Sequence, residues 1–305
     1  MDRIYEALCR MVGSSQVRCA EPMRLHTTFR IGGPADYFVT PMTKEELQDI
    51  VIFCEKEEVP WYILGNGSNL LVADKGIRGV VISLEKGWNT VQVVGNCVEA
   101  GAGTLLSRAA KAAAAEELTG LEFAAGIPGS VGGALVMNAG AYGGEMKDVL
   151  RDAEILTRDG EILRMSAADL ELGYRTSCIP KKQYLVLQAA FELKRGDKEA
   201  IYARMEELAN ARREKQPLEY PSAGSTFKRP QGYFAAKLID DAGLRGLTVG
   251  DAQVSEKHCG FVVNKGQATA DDVQKLCEKV QRTVYEKFGV SLEMEVKQVG
   301  DFHAW

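Results

Sequence analysis

Nineteen consecutive residues, Gly126-Ile-Pro-Gly-Ser-Val-Gly-Gly-Ala-Leu-Val-Met-Asn-Ala-Gly-Ala-Tyr-Gly-Gly144, hold seven glycines and no charged side chain. Glycine weakens ordinary helices and strands, so such density needs a backbone reason. The usual reason is a main chain that approaches a ligand closely and offers it N–H groups. Phosphate is the commonest ligand of that kind, held in loops or at helix starts. The stretch has no Gly-Lys-Ser/Thr ending, so nothing in it sets a lysine on a γ-phosphate. A large phosphorylated cofactor fits it better than nucleotide hydrolysis. A small-residue helix packed against a neighbour is the competing reading. Pro128 and Gly129-Ser130 argue instead for a loop leading into a short helix at 131–137.

The chain's 305 residues suit two or three domains. A net charge of −5 disfavours nucleic acid or an anionic membrane as the main partner. No apolar run reaches the length of a membrane span, and the first residues read as a polar, mildly amphipathic helix over 1–17 rather than a secretion signal. Cys9, Cys19, Cys54, Cys97, Cys178, Cys259 and Cys277 are odd in number and scattered. Without a Cys-x-x-Cys pair they read as free thiols of a reducing cytoplasm. His26, His258 and His303 are too dispersed to propose a metal site, so no metal is expected.

Three blocks follow one another. In the first, residues 1–85, Thr43-Lys-Glu-Glu46 is a capping box opening a helix to about 58. Extended segments at 62–64 and 80–84 flank Gly65-Asn-Gly-Ser-Asn69, a β–turn–β pattern. The second block, 86–196, opens with strands at 91–94 and 97–100 and an alanine-rich helix over 104–117. The glycine-rich stretch comes next, then a hairpin across Asp159-Gly160 and a strand at 184–193. A charged helix at 197–215 leads the third block, 197–305. Helices at 233–242 and 270–288 and strands at 261–264 and 292–299 complete it. Helical and extended segments mix without a regular βαβ period, which predicts an α+β fold rather than a doubly wound sheet.

Two segments imitate a dinucleotide fingerprint, Gly65-Asn-Gly67-Ser-Asn-Leu70 and Gly101-Ala-Gly103-Thr-Leu-Leu106. Both lack the third glycine, so the Rossmann reading is weak. Gly65–Asn69 reads equally well as a plain turn and as a ligand loop. Ser225, Arg175 and Glu295 are anonymous when each is taken alone. No Gly-x-Ser-x-Gly elbow surrounds Ser225, and no hydrolase triad can be read.

Taken in order, these pieces resemble one family. Thr27-Thr-Phe-Arg-Ile-Gly-Gly33, Leu64–Leu71, Gly126–Gly144, Gly173-Tyr-Arg-Thr176, Pro221-Ser-Ala-Gly-Ser-Thr-Phe-Lys-Arg-Pro230 and Glu293–Val296 follow the pattern of the UDP-N-acetylenolpyruvoylglucosamine reductases (MurB) across almost the whole chain. The resemblance implies non-covalent FAD in a two-subdomain module of the vanillyl-alcohol oxidase/PCMH type, followed by a C-terminal α+β substrate-binding domain. It implies NADPH as hydride donor and a cytoplasmic enzyme of peptidoglycan synthesis, expected to be a monomer. Gly65, Asn66, Gly67, Ser68, Asn69, Gly126, Ile127, Gly129, Ser130, Gly132 and Gly133 would line the FAD pyrophosphate. Asn138, Gly140, Ala141 and Tyr142 would lie nearer the flavin. Arg175 and Glu295 would stabilise the negative charge that develops on the substrate's carboxylate, and Ser225 would protonate C2. Tyr174, Lys215, Lys228 and Arg229 would hold the UDP-sugar.

The chain departs from the family pattern at Met294, where many members have proline, at Arg229, where some have asparagine, and at Cys259-Gly260, where Ala-Asn is commoner. The short segment between Arg175 and Ser225 places it with the shorter type, which lacks an extra substrate-covering loop. Two rivals remain at this stage, a related flavin oxidase of alcohols or sugars and a nucleotide-sugar sensor. The glycine-rich stretch holds no histidine or cysteine for flavin attachment, and the joint presence of Arg175, Ser225 and Glu295 argues against a sensor.

Overall fold

The computed structural model describes residues 2–302. The chain divides into two compact units and passes between them repeatedly. The first comprises Met1–Cys19, Tyr37–Asn66 and Gly79–Arg212; the second comprises Ala20–Asp36, Gly67–Arg78 and Arg213–Trp305. The architecture is α+β, as the irregular mixture of periods predicts.

The first unit is built on a five-stranded antiparallel sheet. Its order is Ile162–Ser166, Leu150–Leu156, Leu185–Glu192, Cys97–Gly101, Val91–Val94. The hairpin predicted at Asp159-Gly160 closes with Leu156 opposite Ile162 and with Thr157 N–H donating to the Glu161 carbonyl at 2.9 Å. Gly160 supplies the left-handed residue (φ 85°) that a short loop of this kind needs. The alanine-rich helix, Leu106–Ala115, is shorter than predicted at both ends. Ala109, Ala110, Ala113 and Ala114 are all buried, so small side chains bring its axis close to its neighbours. Thr104, outside the helix, is fully buried and its hydroxyl donates to the Thr90 carbonyl at 2.9 Å.

Two predictions are corrected here. The N-terminal helix spans only Arg3–Val12, because Gly13 leaves helical geometry at φ 83° and Val17–Pro22 is already a strand. The extended segments around Gly65–Asn69 are not a β–turn–β hairpin. Trp61–Leu64 and Ile77–Ser83 run parallel, with Trp61 opposite Val80, and a parallel pair cannot be closed by a tight turn. The connection instead includes a further strand, Leu70–Val72, which sequence reading missed because three apolar residues carry no period.

In the second unit that missed strand pairs in parallel with Lys297–Val299. Only these three residues of the predicted 292–299 strand are regular. Met294 forms an isolated bridge to Phe227 instead. A three-stranded antiparallel sheet, Thr248–Val249, Ala252–Val254 and Val262–Asn264, packs with the helices Ala235–Asp241 and Ala270–Phe288. The longer helix buries Val273, Leu276, Cys277, Val280 and Val284, the three-and-four spacing of a single apolar stripe.

The start of that helix is fully capped. Thr269 and Asp272 exchange side-chain-to-backbone bonds at 3.0 and 2.9 Å, and the Asp74 carboxylate accepts from Ala270 and Asp271 N–H at 2.8 and 3.0 Å. Four amides that helix geometry leaves open thus find acceptors. Thr269→Ala is expected to cost about 1 kcal/mol. Denaturant unfolding of the second unit's transition checks this, and an unchanged midpoint would contradict it.

Candidate active site

The loop after Trp61–Leu64 is held by its own glycines. A Cβ on Gly65 would stand 2.5 Å from Ser130 Oγ, and Asn66 Nδ2 donates to the Pro128 carbonyl at 2.7 Å. These two contacts bring Gly65-Asn66 together with Gly126–Ser130 inside the first unit. In the second unit, Gly67 has φ 61°, and a Cβ there would lie 2.0 Å from the His26 carbonyl oxygen. The N–H groups of Asn66, Gly67 and Ser68 find no acceptor among the described residues. Consecutive open amides are the chemistry that cradles an oxyanion.

The glycines of 126–144 turn out to have different causes. A Cβ on Gly132 would meet Ala102 Cβ at 2.9 Å, one on Gly140 would meet the Gly144 carbonyl at 2.6 Å, and one on Gly144 would meet Phe123 at 2.6 Å. These three are required by the protein's own close packing. Gly143 is there for its backbone, at φ 90° with open space around it. Gly126 and Gly133 leave room, with nearest approaches of 3.4 Å. Ser130 caps the helix Val131–Val136 by accepting from Gly133 N–H. The next amides are already used, Val131 N–H by Thr104 and Gly132 N–H by Ala102. The N–H groups of Gly129 and Ser130 just before the helix, like those of Asn66, Gly67 and Ser68, find no acceptor among the described residues. Ile63, Leu64, Gly65, Leu84, Ala102, Ser130, Gly132 and Gly133 line part of a cleft of about 100 Å³. An apolar cleft lined by Gly65 and Ser130, with the open amides of Asn66 and Ser130 in the same unit, fits a cofactor with a diphosphate and a flat ring, so FAD is compatible with this residue set.

Ile127 is half-buried and packs against the core of the first unit. Ala141 pairs with Gly144 across the tight turn that contains Tyr142, which is itself at φ 53°. Gly129 accepts from Leu106 N–H at 2.9 Å. Asn138 is fully buried at φ 44°, and its side chain is engaged by Glu145, Gly173 and Lys147.

Arg175 occupies the third position of the turn Gly173–Thr176, closed by reciprocal backbone bonds of 3.0 and 3.3 Å. Its φ of 54° is the left-handed geometry that such turns normally reserve for glycine. An arginine held there costs on the order of 1 kcal/mol, and strain of this kind gathers at functional sites. Its guanidinium lies 5.3 Å from the exposed Tyr174 ring and donates to the Gly140 carbonyl at 3.4 Å.

Ser225 and Glu295 fall in the second unit, on adjoining chain segments. Glu295 N–H donates to the Thr226 carbonyl at 2.8 Å, and Lys228 N–H donates to the Glu293 carbonyl at 2.8 Å. This ladder sets Ser225 and Glu295 one residue out of register. Thr226 is buried, its hydroxyl accepting from Val262 N–H at 2.9 Å, while the preceding Ser225 is exposed. Glu295 is buried, and its carbonyl accepts from Asn69 Nδ2 at 3.2 Å. A loop residue expected at the cofactor thereby holds the backbone of Glu295. Lys228 is ion-paired with Glu293. The Arg229 guanidinium lies 3.9 Å over the Phe234 ring. Lys215 ends the charged helix Lys198–Lys215 and is exposed.

Arg212 escaped sequence reading. Its side chain passes over Gly126, 3.4 Å from where a Cβ would be, and no carboxylate pairs with it among the described residues. Burial lowers its proton affinity below the ordinary arginine value, while the Tyr142 hydroxyl acts in the opposite direction. A half-buried cation beside the glycine-rich stretch can meet an anion. Nothing in its surroundings of Ala211, Arg213 and Glu214 distinguishes it from a solvated helix face. Among the described residues no group of three or more His, Cys, Asp or Glu could hold a metal, and no helix is long and apolar enough to cross a membrane. His303 lies outside the described residues.

Known proteins match this architecture throughout. An FAD-binding domain profile covers residues 35–166, and the profile of the UDP-N-acetylenolpyruvoylglucosamine reductase C-terminal domain covers 216–299. The reductase of that name from Agathobacter rectalis is 57% identical over 92% of this chain and 93% of its own length. The one from Lachnoclostridium phytofermentans is 55% identical over 98% of this chain and 97% of its own. The crystal structure of the Thermus caldophilus enzyme superimposes with a TM-score of 0.80 at 41% identity, covering 91% of this chain and 97% of that one. A 4-ethylphenol oxidase from Gulosibacter chungangensis shares the fold alone, with a TM-score of 0.50 at 17% identity over 95% of this chain and 64% of that one. The fold is therefore the FAD-binding module of the vanillyl-alcohol oxidase/PCMH type with a C-terminal α+β domain, of the shorter type. With an identity above one half over nearly its whole length, the chain belongs to the UDP-N-acetylenolpyruvoylglucosamine reductases.

Proposed function

We propose that the chain catalyses the NADPH-dependent reduction of UDP-N-acetylglucosamine enolpyruvate to UDP-N-acetylmuramate, with FAD bound non-covalently. The family assignment supports this reaction, and the pairing of exposed Ser225 with the segment carrying buried Glu295 supports the chemistry. Gly65–Asn69 and Gly126, Ile127, Gly129, Ser130, Gly132 and Gly133 hold the cofactor's diphosphate, while Gly140, Ala141 and Tyr142 serve the flavin and Asn138, its side chain taken up by protein partners, supports the segment that carries them. Residues 1–85 and 86–196 act as the two FAD subdomains, and 197–305 binds the UDP-sugar. When bound, FAD relays hydride from NADPH to C3 of the enolpyruvyl group.

The chain's own residues handle the charge and the proton. Hydride addition at C3 pushes electrons into the conjugated carboxylate, giving an aci-carboxylate whose extra charge must be met by fixed donors. Arg175 supplies a permanent positive charge, and its strained turn holds that charge in one direction. Glu295 acts at the same developing charge, its backbone fixed by Thr226 and Asn69. Ser225 delivers its hydroxyl proton to C2, which completes the saturated ether. Tyr174, Lys215, Lys228 and Arg229 bind the substrate, with the cations at its diphosphate and carboxylate. Lys228 must exchange its Glu293 partner to do so.

The reaction serves peptidoglycan assembly, hence cell-wall biogenesis, cell shape and division, by a cytoplasmic enzyme acting as a monomer. No nucleic acid partner and no membrane insertion are involved. The test is direct. Purified protein should be yellow from FAD and should consume NADPH only when the enolpyruvyl UDP-sugar is added. NADPH consumption that ignores this substrate, or a protein that cannot take up FAD, refutes the proposal.

A further inference from the structure

We infer that Asn138 is a positioning residue for Arg175: its buried amide clamps the turn that presents the arginine, and so sets the half-reaction in which the substrate is reduced. The inference rests on the role proposed for Arg175. Asn138 lies two residues past the helix Val131–Val136, fully buried and in left-handed geometry at φ 44°. Its side-chain nitrogen donates to Glu145 Oε2 at 2.8 Å and to the Gly173 carbonyl at 3.1 Å. Its oxygen accepts from Lys147 N–H at 2.9 Å. Two acceptors at one end and a donor at the other fix which way the amide points. A buried asparagine with both N–H groups and its oxygen engaged has no side-chain donor left for a cofactor.

The Gly173 carbonyl that Asn138 grips is the first residue of the turn that presents Arg175. Three points within residues 136–140 hold the 173–177 segment. The Val136 carbonyl accepts from Ser177 Oγ at 2.7 Å, Asn138 binds Gly173, and the Gly140 carbonyl accepts from Arg175 Nη2 at 3.4 Å. The turn is thus fastened on both flanks and at its functional side chain. Asn138 ties the turn through its side chain to the 145–147 segment, which Gly140 meets only through backbone pairing with Glu145. Glu145 completes the clasp by receiving one of the amide's two protons and pairing with Lys147.

Loss of the clasp leaves the Arg175 charge in place but frees its direction, and a misplaced charge stabilises a transition state poorly. Rapid-reaction measurements on FAD-loaded enzyme test this by separating the two half-reactions. Asn138→Ala should leave flavin reduction by NADPH within about twofold of wild type while slowing flavin reoxidation by the enolpyruvyl UDP-sugar at least about tenfold. Because Asn138 acts through Arg175, the Asn138→Ala/Arg175→Ala double variant should be no slower in reoxidation than Arg175→Ala alone. Glu145→Ala, at the amide's partly exposed partner, should slow reoxidation in the same direction if Asn138→Ala does not fold. Glu145→Gln keeps an acceptor oxygen and should restore the rate.

Equal slowing of both half-reactions, full additivity in the double variant, or a Glu145→Gln rate as low as that of Glu145→Ala would each overturn the inference. Unchanged reoxidation in Arg175→Ala would instead overturn the catalytic reading on which it rests.

Discussion

Ser225→Ala is expected to retain FAD and to be reduced by NADPH at the wild-type rate, yet to transfer those electrons to substrate about a hundredfold to ten-thousandfold more slowly. A positioned general acid is worth roughly that much. The asymmetry follows from where the proton is needed: nicotinamide oxidation requires none at C2, whereas reduction of the enolpyruvyl ether is incomplete without one. Ser225 lies in an exposed turn after Gly224, at φ 76°, and no side-chain partner holds its hydroxyl among the described residues. Removing it therefore costs little in folding, and thermal stability should stay close to that of wild type. Stopped-flow traces at the flavin absorption band measure both half-reactions in one preparation. Normal reoxidation in the variant would sink the assignment of Ser225 as the acid.

Gly67→Ala is expected to be the most damaging single methyl group in the cofactor loop. The added carbon would stand 2.0 Å from the His26 carbonyl oxygen and 2.9 Å from Thr27 Cα, both backbone atoms that cannot swing aside. The left-handed backbone at φ 61° adds strain for any residue with a Cβ. Together these should cost about 3 kcal/mol or more, within the range of severe single substitutions, and should lower FAD affinity by displacing the open amides of residues 66–68. Gly143→Ala is the control. It shares the positive φ, at 90°, but has nothing within 4 Å, so about 1 kcal/mol of backbone strain is all it should lose. Calorimetric unfolding of both proteins, with FAD retention read from the visible spectrum, tests the pair. Equal losses in the two would show that φ alone, and not the backbone clash, governs the loop.

The two glycine-rich segments show how far reading a sequence reaches. Their glycine density correctly marks places where a main chain runs close to something, because no other residue lacks a Cβ. What lies close is not encoded locally. Gly132, Gly140 and Gly144 face Ala102, Glu145 and Phe123, whose approach depends on the five-stranded sheet and the turn at 140–145. Amides without an acceptor among the described residues occur in both segments, at Gly129 and Ser130 and at Asn66–Ser68. Likewise, Asn138 belongs by its motif to the flavin's surroundings, yet its side chain is spent on Glu145, Gly173 and Lys147. Nothing about an asparagine in an uncharged run announces a partner thirty-five residues away.

Elements with strong local period were legible close to their ends: the helix Ala270–Phe288, the hairpin at Asp159-Gly160 and the strand Leu185–Glu192. Those made by distant pairing were not. Leu70–Val72 becomes a strand through Lys297–Val299, and Glu295 gains its place through a bond to Thr226, some seventy residues earlier. Amphipathic period, capping residues and an ordered set of motifs are local properties, so the sequence by itself determined the α+β class, the family and the residue types available for flavin chemistry. The direction of Arg175, the burial of Glu295 and the exposure of Ser225 were decided only by tertiary structure. Each depends on hydrogen bonds and packing between segments far apart in the chain, and their energies exist only once those segments have met.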